Sequence, residues 1–95
     1  MVRARLADPA AEAFFFRTHT GIEVDVLLRL RGRLVPIEVK LGVTPPDPKG
    51  LVACMDALGL PRGYVVSMRR EAVEIRRGIV MCGLPDLLQR LQLAP

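Results

Sequence analysis

The chain is short of several residue types on which common site chemistries depend. Among its 95 residues there are two cysteines, one histidine and no tryptophan. Cys54 and Cys82 lack CxxC spacing and have no histidine beside them. They therefore predict two buried thiols, neither a zinc site nor a disulfide. No Gly-x-x-x-x-Gly-Lys-Ser/Thr run occurs in these residues, so they contain no P-loop.

Long apolar runs are also missing, although 51% of the residues are hydrophobic. No run approaches the roughly 20 residues that span a bilayer, and the N-terminus has no continuous apolar segment typical of a secretory signal. We therefore expect a cytoplasmic protein with no membrane partner. The length predicts one domain, residues 1–95, with a small aliphatic core. Such a core favours a homo-oligomer or docking to a protein partner.

Lysine is scarce within a basic chain. The formal net charge is +4, yet Lys40 and Lys49 are the only lysines among 14 basic residues. A basic balance is compatible with nucleic acid as a partner. Two arginine pairs, at positions 69–70 and 76–77, are typical of charges that protect an edge strand; the alternative is a path for nucleic acid.

Two stretches alternate as the strands of a hairpin, Ile22–Leu28 and Leu34–Leu41. Successive side chains of a strand point to opposite faces, which predicts one apolar face on each strand. Those predicted core faces are Ile22, Val24, Val26 and Leu28 on the first strand and Val35, Ile37, Val39 and Leu41 on the second. The opposite faces carry Glu23, Asp25, Glu38 and Lys40.

The register of this hairpin decides which charges meet. A tight turn at Arg31 and Gly32 pairs position i with position 63 − i, so that Asp25 faces Glu38. Such a turn requires a positive φ at Arg31, which a residue with a Cβ resists. A longer loop shifts the pairing by two and places Asp25 opposite Lys40. Both registers bring three carboxylates and one ammonium within about 5–8 Å.

The facing carboxylates have two interpretations. Like charges opposite one another are destabilising unless a cation compensates, and a hard divalent ion such as Mg²⁺ or Mn²⁺ prefers carboxylate oxygens. A bound ion would polarise a phosphoryl oxygen and activate water, with Lys40 orienting the water or offsetting phosphate charge. In the alternative, the charges only keep an exposed strand face soluble.

Asp25, followed on the next strand by Glu38-Val39-Lys40, resembles the PD-(D/E)XK nuclease superfamily, the restriction-endonuclease-like fold. A longer pattern resembles a C-terminal domain of unknown function that ends many prokaryotic AAA-type ATPases. That pattern consists of Phe16-Arg17-Thr18, Thr20-Gly21-Ile22-Glu23-Val24-Asp25, the stretch 32–40, and Gly63-Tyr64-Val65-Val66. The resemblance covers most of the chain, from Phe14 onward.

The resemblance implies an α/β fold, a mixed sheet with flanking helices. This chain departs from that pattern in that its first core helix is expected to be shortened or missing. It implies a Mg²⁺ or Mn²⁺ site formed by Asp25, Glu38 and the Val39 carbonyl. Catalysis would rest on Asp25, Glu38 and Lys40, with Glu23 as an additional acid. Many members of the superfamily have lost cleavage, so the resemblance leaves activity open.

The local patterns predict the remaining elements. Residues 1–13 are expected to be poorly ordered or to form a short helix from Asp8 and Pro9. Residues 14–83 are expected to contain the sheet and a central helix, and residues 84–93 a C-terminal helix. Within them we expect a strand at 14–19 and a helix from Pro48 or Lys49 to Leu58. The helix should cross over to a strand at 63–68 that runs parallel to the strand before the helix. One or two edge strands are expected at 72–75 and 78–82.

Three functions follow as hypotheses. The leading one is a metal-dependent nuclease-like domain acting on nucleic-acid phosphodiesters, with or without retained cleavage. The rival is a non-catalytic module for protein interaction or oligomerisation, derived from the tail domain of an AAA-type ATPase. A third is a DNA-binding domain that does not cleave.

Overall fold

The computed structural model describes residues 2–5, 11–17 and 23–92. In this part of the chain seven strands form one sheet, in the order β1-β2-β3-β4-β5-β7-β6, with two helices. The strands are β1 (Val2–Arg5), β2 (Ala11–Arg17), β3 (Glu23–Leu30), β4 (Arg33–Val39), β5 (Gly63–Ser67), β6 (Val73–Arg76) and β7 (Ile79–Gly83). The helices are α1 (Lys49–Leu58) and α2 (Leu84–Arg90). This mixed sheet with helices confirms the α/β class; the restriction-endonuclease-like fold stays a prediction.

The β3–β4 hairpin adopts the tight-turn register. The numbers of each pair of facing residues sum to 63, from Val26 opposite Ile37 to Leu30 opposite Arg33. Arg31 has φ 51° and Gly32 has φ 78°, so both turn residues are left-handed. The longer-loop alternative is therefore wrong.

The unfavourable φ at Arg31 is accompanied by side-chain bonds to the end of α2. Its guanidinium donates to the carbonyl oxygens of Leu91 and Gln92, each at 3.2 Å. Carbonyls at a helix C-terminus lack intrahelical donors and carry partial negative charge, which suits a guanidinium. The same side chain thus joins the hairpin turn to the helix.

The predicted apolar face of β3 is wrong at Val24. Val26 and Leu28 pack on the α2 side of the sheet, whereas Val24 clusters with Leu27 and with Cys54 of α1. The pairing between β2 and β3 shifts at this point: β3 advances three residues while β2 advances two. This β-bulge reverses the face on which the following side chain lies.

The predicted core face of β4 is also wrong at its far end. Val35 is half-buried and Ile37 is buried, but Val39 and Leu41 are exposed. On the opposite face of the strand, Pro36 is fully buried. Both faces of the sheet therefore carry core, one under each helix, and the apolar end of β4 extends beyond it.

The N-terminal residues form strands where a short helix or poor order was expected. β1 pairs antiparallel with β2, from Val2 opposite Phe15 to Arg5 opposite Glu12. An isolated helix of one or two turns is marginal in water, whereas pairing with an existing sheet satisfies the main chain. Asp8, Pro9 and the end of the predicted first strand at residues 18–19 lie outside the described residues.

The central helix and the strands after it follow the predicted order. α1 ends at Gly59, whose φ is 66° and whose N–H donates to the Met55 carbonyl. β5 then pairs parallel with β4, which confirms the crossover. β6 is an edge strand as expected, but β7 lies between β5 and β6. An uninterrupted apolar sequence such as that of β7 is typical of a parallel strand buried on both faces.

Neither helix of the described residues is long and apolar enough to cross a membrane.

Candidate functional site

The candidate site lies where β4 ends and β3 begins. β4, β5 and β7 are parallel neighbours, so their carboxyl ends meet at one edge of the sheet, called here the carboxyl edge. β3 runs antiparallel to β4, which brings the first residues of β3 to the same edge. Ligands of open α/β sheets commonly bind outside the carboxyl ends of the strands.

Asp25 is fixed at this edge by the main chain of β4. The regular β3–β4 pairing ends with Val26 opposite Ile37. Beyond this pair, the N–H of Val39, two residues after Ile37, donates to the Oδ2 of Asp25 at 2.7 Å. A bond from an amide to an ionised carboxylate is short and relatively strong. Asp25 lies in the β3 bulge, and its exposed carboxylate accepts the hydrogen bond that a main-chain carbonyl of β3 would otherwise accept from Val39. The second carboxylate oxygen stays available for another ligand.

Glu38 has a carboxyl group in an unfavourable setting. The residue is half-buried, and its Oε2 is buried without a hydrogen-bond partner among the described residues. Burial raises the pKa of the Glu38 carboxyl above its ordinary 4.5; the Lys40 charge lowers this pKa and the Asp25 charge raises it. An unsatisfied buried acceptor costs free energy in the folded state, more so when it is ionised.

Lys40 follows β4 directly and is exposed. Its backbone N–H donates to the Val66 carbonyl at 2.8 Å, which extends the pairing of β4 with β5 by one residue. Its charge acts on Glu38 in the direction expected of a close cation. Lys40 is thus anchored through its main chain while its side chain stays at the surface.

The structure brings Asp25, Glu38 and Lys40 to one corner of the sheet; their catalytic and metal-binding roles stay predictions. Glu23 begins β3 and pairs with Arg17; its side chain lies outside what is described. Within the described residues, no group of three or more histidine, cysteine or acidic side chains is arranged to hold a metal ion. Asp25 and Glu38 are the two described carboxylates that act on one another at this corner.

Sequence patterns did not indicate the apolar residues that surround this corner. Five large apolar side chains are exposed at the carboxyl edge and together form what we call the apolar rim: Val39, Leu41, Val43, Met68 and Leu84. The sequence predicted core for Val39 and Leu41, a buried strand ending at Met68, and an apolar helix face that includes Leu84; all four side chains are exposed. A usable signal is their position, because each lies at or just beyond the carboxyl end of a parallel strand.

The contacts that two arginines make with the loop after β4 were also not predicted. The Arg69 guanidinium donates to the Glu71 carbonyl at 2.9 Å and to the Val43 carbonyl at 3.2 Å, which joins the loops after β4 and β5. Arg76 forms an ion pair with Asp47 at 3.2 Å. These two arginines therefore hold the loop between β4 and α1 in place.

A separate groove of about 450 Å³ lies between α1 and the β6–β7 turn. Its lining residues are Val52, Met55, Asp56, Arg76, Arg77 and Ile79. None of the three candidate site residues contributes to it.

Comparison with protein families assigns the chain to a family. A model of a domain of unknown function, DUF4143, matches residues 1–87. The chain belongs to this family. The DUF4143 domain is commonly found at the C-termini of AAA-type ATPases, which confirms the predicted kinship with such tail domains. No curated protein and no solved structure matches the chain. Membership of the PD-(D/E)XK superfamily stays a prediction.

Proposed function

We propose that this DUF4143 domain is a metal-dependent, nuclease-like domain that acts on nucleic-acid phosphodiesters. The observation that carries the proposal is the Glu38 carboxylate, whose buried Oε2 has no partner in the described residues and which lies beside Asp25 and Lys40. An unsatisfied carboxylate at a strand end lowers the stability of the folded state, and a ligand that neutralises the carboxylates would restore that stability.

The donor set fits a hard divalent cation. Asp25 has one oxygen engaged by the Val39 N–H, and Glu38 has an unpartnered oxygen. Mg²⁺ in proteins is usually bound through one or two carboxylates, with waters and substrate phosphates completing its shell. Asp25, Glu38 and the Val39 carbonyl would hold Mg²⁺ or Mn²⁺, with Glu23 as an additional acid.

Each residue has a defined part in this chemistry. When bound, a divalent ion supplies a Lewis acid for a phosphoryl oxygen and lowers the pKa of water. The Val39 N–H orients the Asp25 carboxylate toward the edge. The Lys40 ammonium offsets the charge of a phosphate or orients the attacking water. Because the pKa of Glu38 is raised, protons compete with the metal, so affinity should rise with pH.

A thermal melt with and without Mn²⁺ tests this proposal. A ligand that binds the folded state at 100 times its Kd stabilises it by about 2.7 kcal/mol. We expect Mn²⁺ to raise the Tm of the wild type and to leave that of Glu38→Gln unchanged. Glu74→Gln, at an exposed glutamate of β6, is the matched control and should respond like the wild type.

Cleavage is tested in parallel on linear, circular, branched and single-stranded DNA with Mn²⁺. Cleavage that is lost in Lys40→Ala would establish an active nuclease. A metal response without cleavage would identify a domain that has kept its site and lost its activity.

The apolar rim favours a second candidate, a non-catalytic module that docks to a protein or to a second copy of itself. Exposed apolar patches on small domains commonly mark such interfaces. This candidate predicts that millimolar Mn²⁺ leaves the Tm of the wild type unchanged and that no DNA in the panel is cut.

A further inference from the structure

The apolar rim adjoins the candidate site directly. Val39 stands between Glu38 and Lys40 in the chain, and the Val39 side chain is 48% exposed. Leu41 and Val43, 84% and 54% exposed, continue the same segment. Val39 lies on the face of β4 opposite to Glu38, and Leu41 and Val43 continue past the end of the strand. A nucleic-acid chain bound across this edge would therefore meet both the carboxylates and aliphatic side chains.

The rim also extends along the carboxyl edge to the neighbouring strands. Met68 follows β5 and is 71% exposed; Leu84 follows β7 and is 53% exposed. β5 and β7 are paired in register, Ser67 opposite Gly83, so these two side chains leave the sheet from neighbouring positions. The bond from Arg69 to the Val43 carbonyl holds the first loop against the second. The five rim residues thus all lie along the carboxyl edge.

The charges at this edge do not favour a duplex. Over residues 24–92, the strand ends, loops and helix starts of the carboxyl edge carry five acidic and four basic side chains: Asp25, Glu38, Asp47, Glu71 and Asp86 against Lys40, Lys49, Arg69 and Arg70. Arg76 and Lys49 both lie against Asp47, and the Arg69 guanidinium is engaged by carbonyls. Binding to duplex backbone depends on many unshared cations, often 6–10 phosphate contacts.

The surplus positive charge lies elsewhere. Four arginines that form no ion pair among the described residues stand at the opposite edge, where the parallel strands begin: Arg31, Arg33, Arg62 and Arg77. They are separated from the carboxyl edge by the length of the strands, so they do not supplement the cations at the site.

We propose that the apolar rim contacts unpaired bases, so that the substrate of this site is a single-stranded stretch of nucleic acid. The proposal rests on the function proposed above. Bases are apolar on their faces and accessible in single strands, where apolar contact supplies affinity that phosphate neutralisation does not.

Fluorescence anisotropy with a labelled strand of about 12 nucleotides, within the range that one small fold contacts, tests the proposal. The same sequence as a duplex is the comparison, and EDTA prevents cleavage. We expect the single strand to bind about tenfold more tightly than the duplex, a difference of about 1.4 kcal/mol. In the double variant Leu41→Ser with Met68→Ser, single-strand affinity should fall about tenfold and duplex affinity should stay the same.

The control variant is Leu58→Ser, at a leucine that is 40% exposed at the end of α1, away from the rim; it should bind like the wild type. Because both rim positions are highly exposed, the double variant should retain its Tm. Equal or tighter binding of the duplex would overturn the proposal. So would unchanged single-strand binding by the double variant, or a wild-type dimer that this variant dissociates in sedimentation.

The two proposals fail separately. A single-strand preference in EDTA, together with no Mn²⁺ effect on the Tm, would refute the metal site and leave the base contacts standing. A Mn²⁺ response without any single-strand preference would do the reverse.

Discussion

Replacing Glu38 with glutamine should stabilise the metal-free protein at neutral pH. The carboxylate is penalised by burial, and its Oε2 lacks a partner in the described residues. Glutamine leaves a polar group at this position but removes its charge, and an unsatisfied charged group costs more than the about 1–3 kcal/mol of a neutral one. Because Glu38 is only half-buried and Lys40 attracts it, we take the low end, about 1 kcal/mol. For a domain of this size that gain corresponds to a Tm higher by about 4–8 °C.

The pH dependence of this difference follows from the sign of the pKa shift. The folded state raises the pKa of Glu38 above 4.5, so the folded protein binds this proton more tightly than the unfolded chain. The resulting stabilisation is fully present below pH 4.5 and is lost as pH rises through the folded pKa. The advantage of Glu38→Gln over the wild type should therefore be small in acid and grow to a plateau above that pKa.

The assay is thermal unfolding in EDTA across this pH range for three proteins. Glu74→Gln removes an exposed carboxylate and should stay within about 0.5 kcal/mol of the wild type. A Glu38→Gln protein that is less stable than the wild type at pH 7 would refute the reasoning. A stability difference that does not change with pH would refute it as well.

The remaining predictions concern the fold. Arg31→Ala keeps a left-handed turn residue and loses two bonds to the end of α2, so denaturant unfolding should show a loss of about 1–2 kcal/mol. Arg31→Gly loses the same bonds but relieves about 1 kcal/mol of backbone strain and should be the more stable of the two; equal values would contradict this account. Gly78→Ala places a Cβ 2.5 Å from the Pro61 carbonyl oxygen at φ 83° and should cost about 2 kcal/mol or more. Gly42→Ala enters open space and should be neutral in the same unfolding measurement; a similar loss in both variants would show that the contact is not responsible.

The hairpin could be predicted because two local signals agree on it. Alternation predicts the faces of β4 as far as Ile37, and Arg31-Gly32 indicates the turn, although the sequence also allowed a longer loop; both registers keep Asp25 close to Glu38. The same signals place Asp25 beside Glu38. That proximity, which carries the proposed function, was therefore available from the residues alone.

The bulge in β3 could not be predicted from the alternation. Val24, Val26 and Leu28 alternate as though they shared a face, and the pattern continues unbroken through the bulge. A second signal lay in Leu27, an apolar residue on the face that was predicted to be polar. It is buried against α1, and its burial shows that both faces of this strand are covered.

The N-terminal strands and the apolar rim escaped prediction for different reasons. The pairing of β1 with β2 depends on contacts between segments, which local propensity does not contain. Val39 and Leu41 match a core pattern, but the strand leaves the covered part of the sheet before it reaches them. Apolar character predicts burial only where another element covers the side chain.

Mn²⁺ binding, measured by the paramagnetic signal of the free ion, tests the central claim most directly. The account predicts saturable binding to the wild type and to Glu74→Gln, weakening as pH falls toward the pKa of Glu38, and loss of binding in Glu38→Gln and Asp25→Asn. Absence of binding to the wild type, or binding that is unchanged in the Glu38 and Asp25 variants, would contradict a metal site at these two carboxylates.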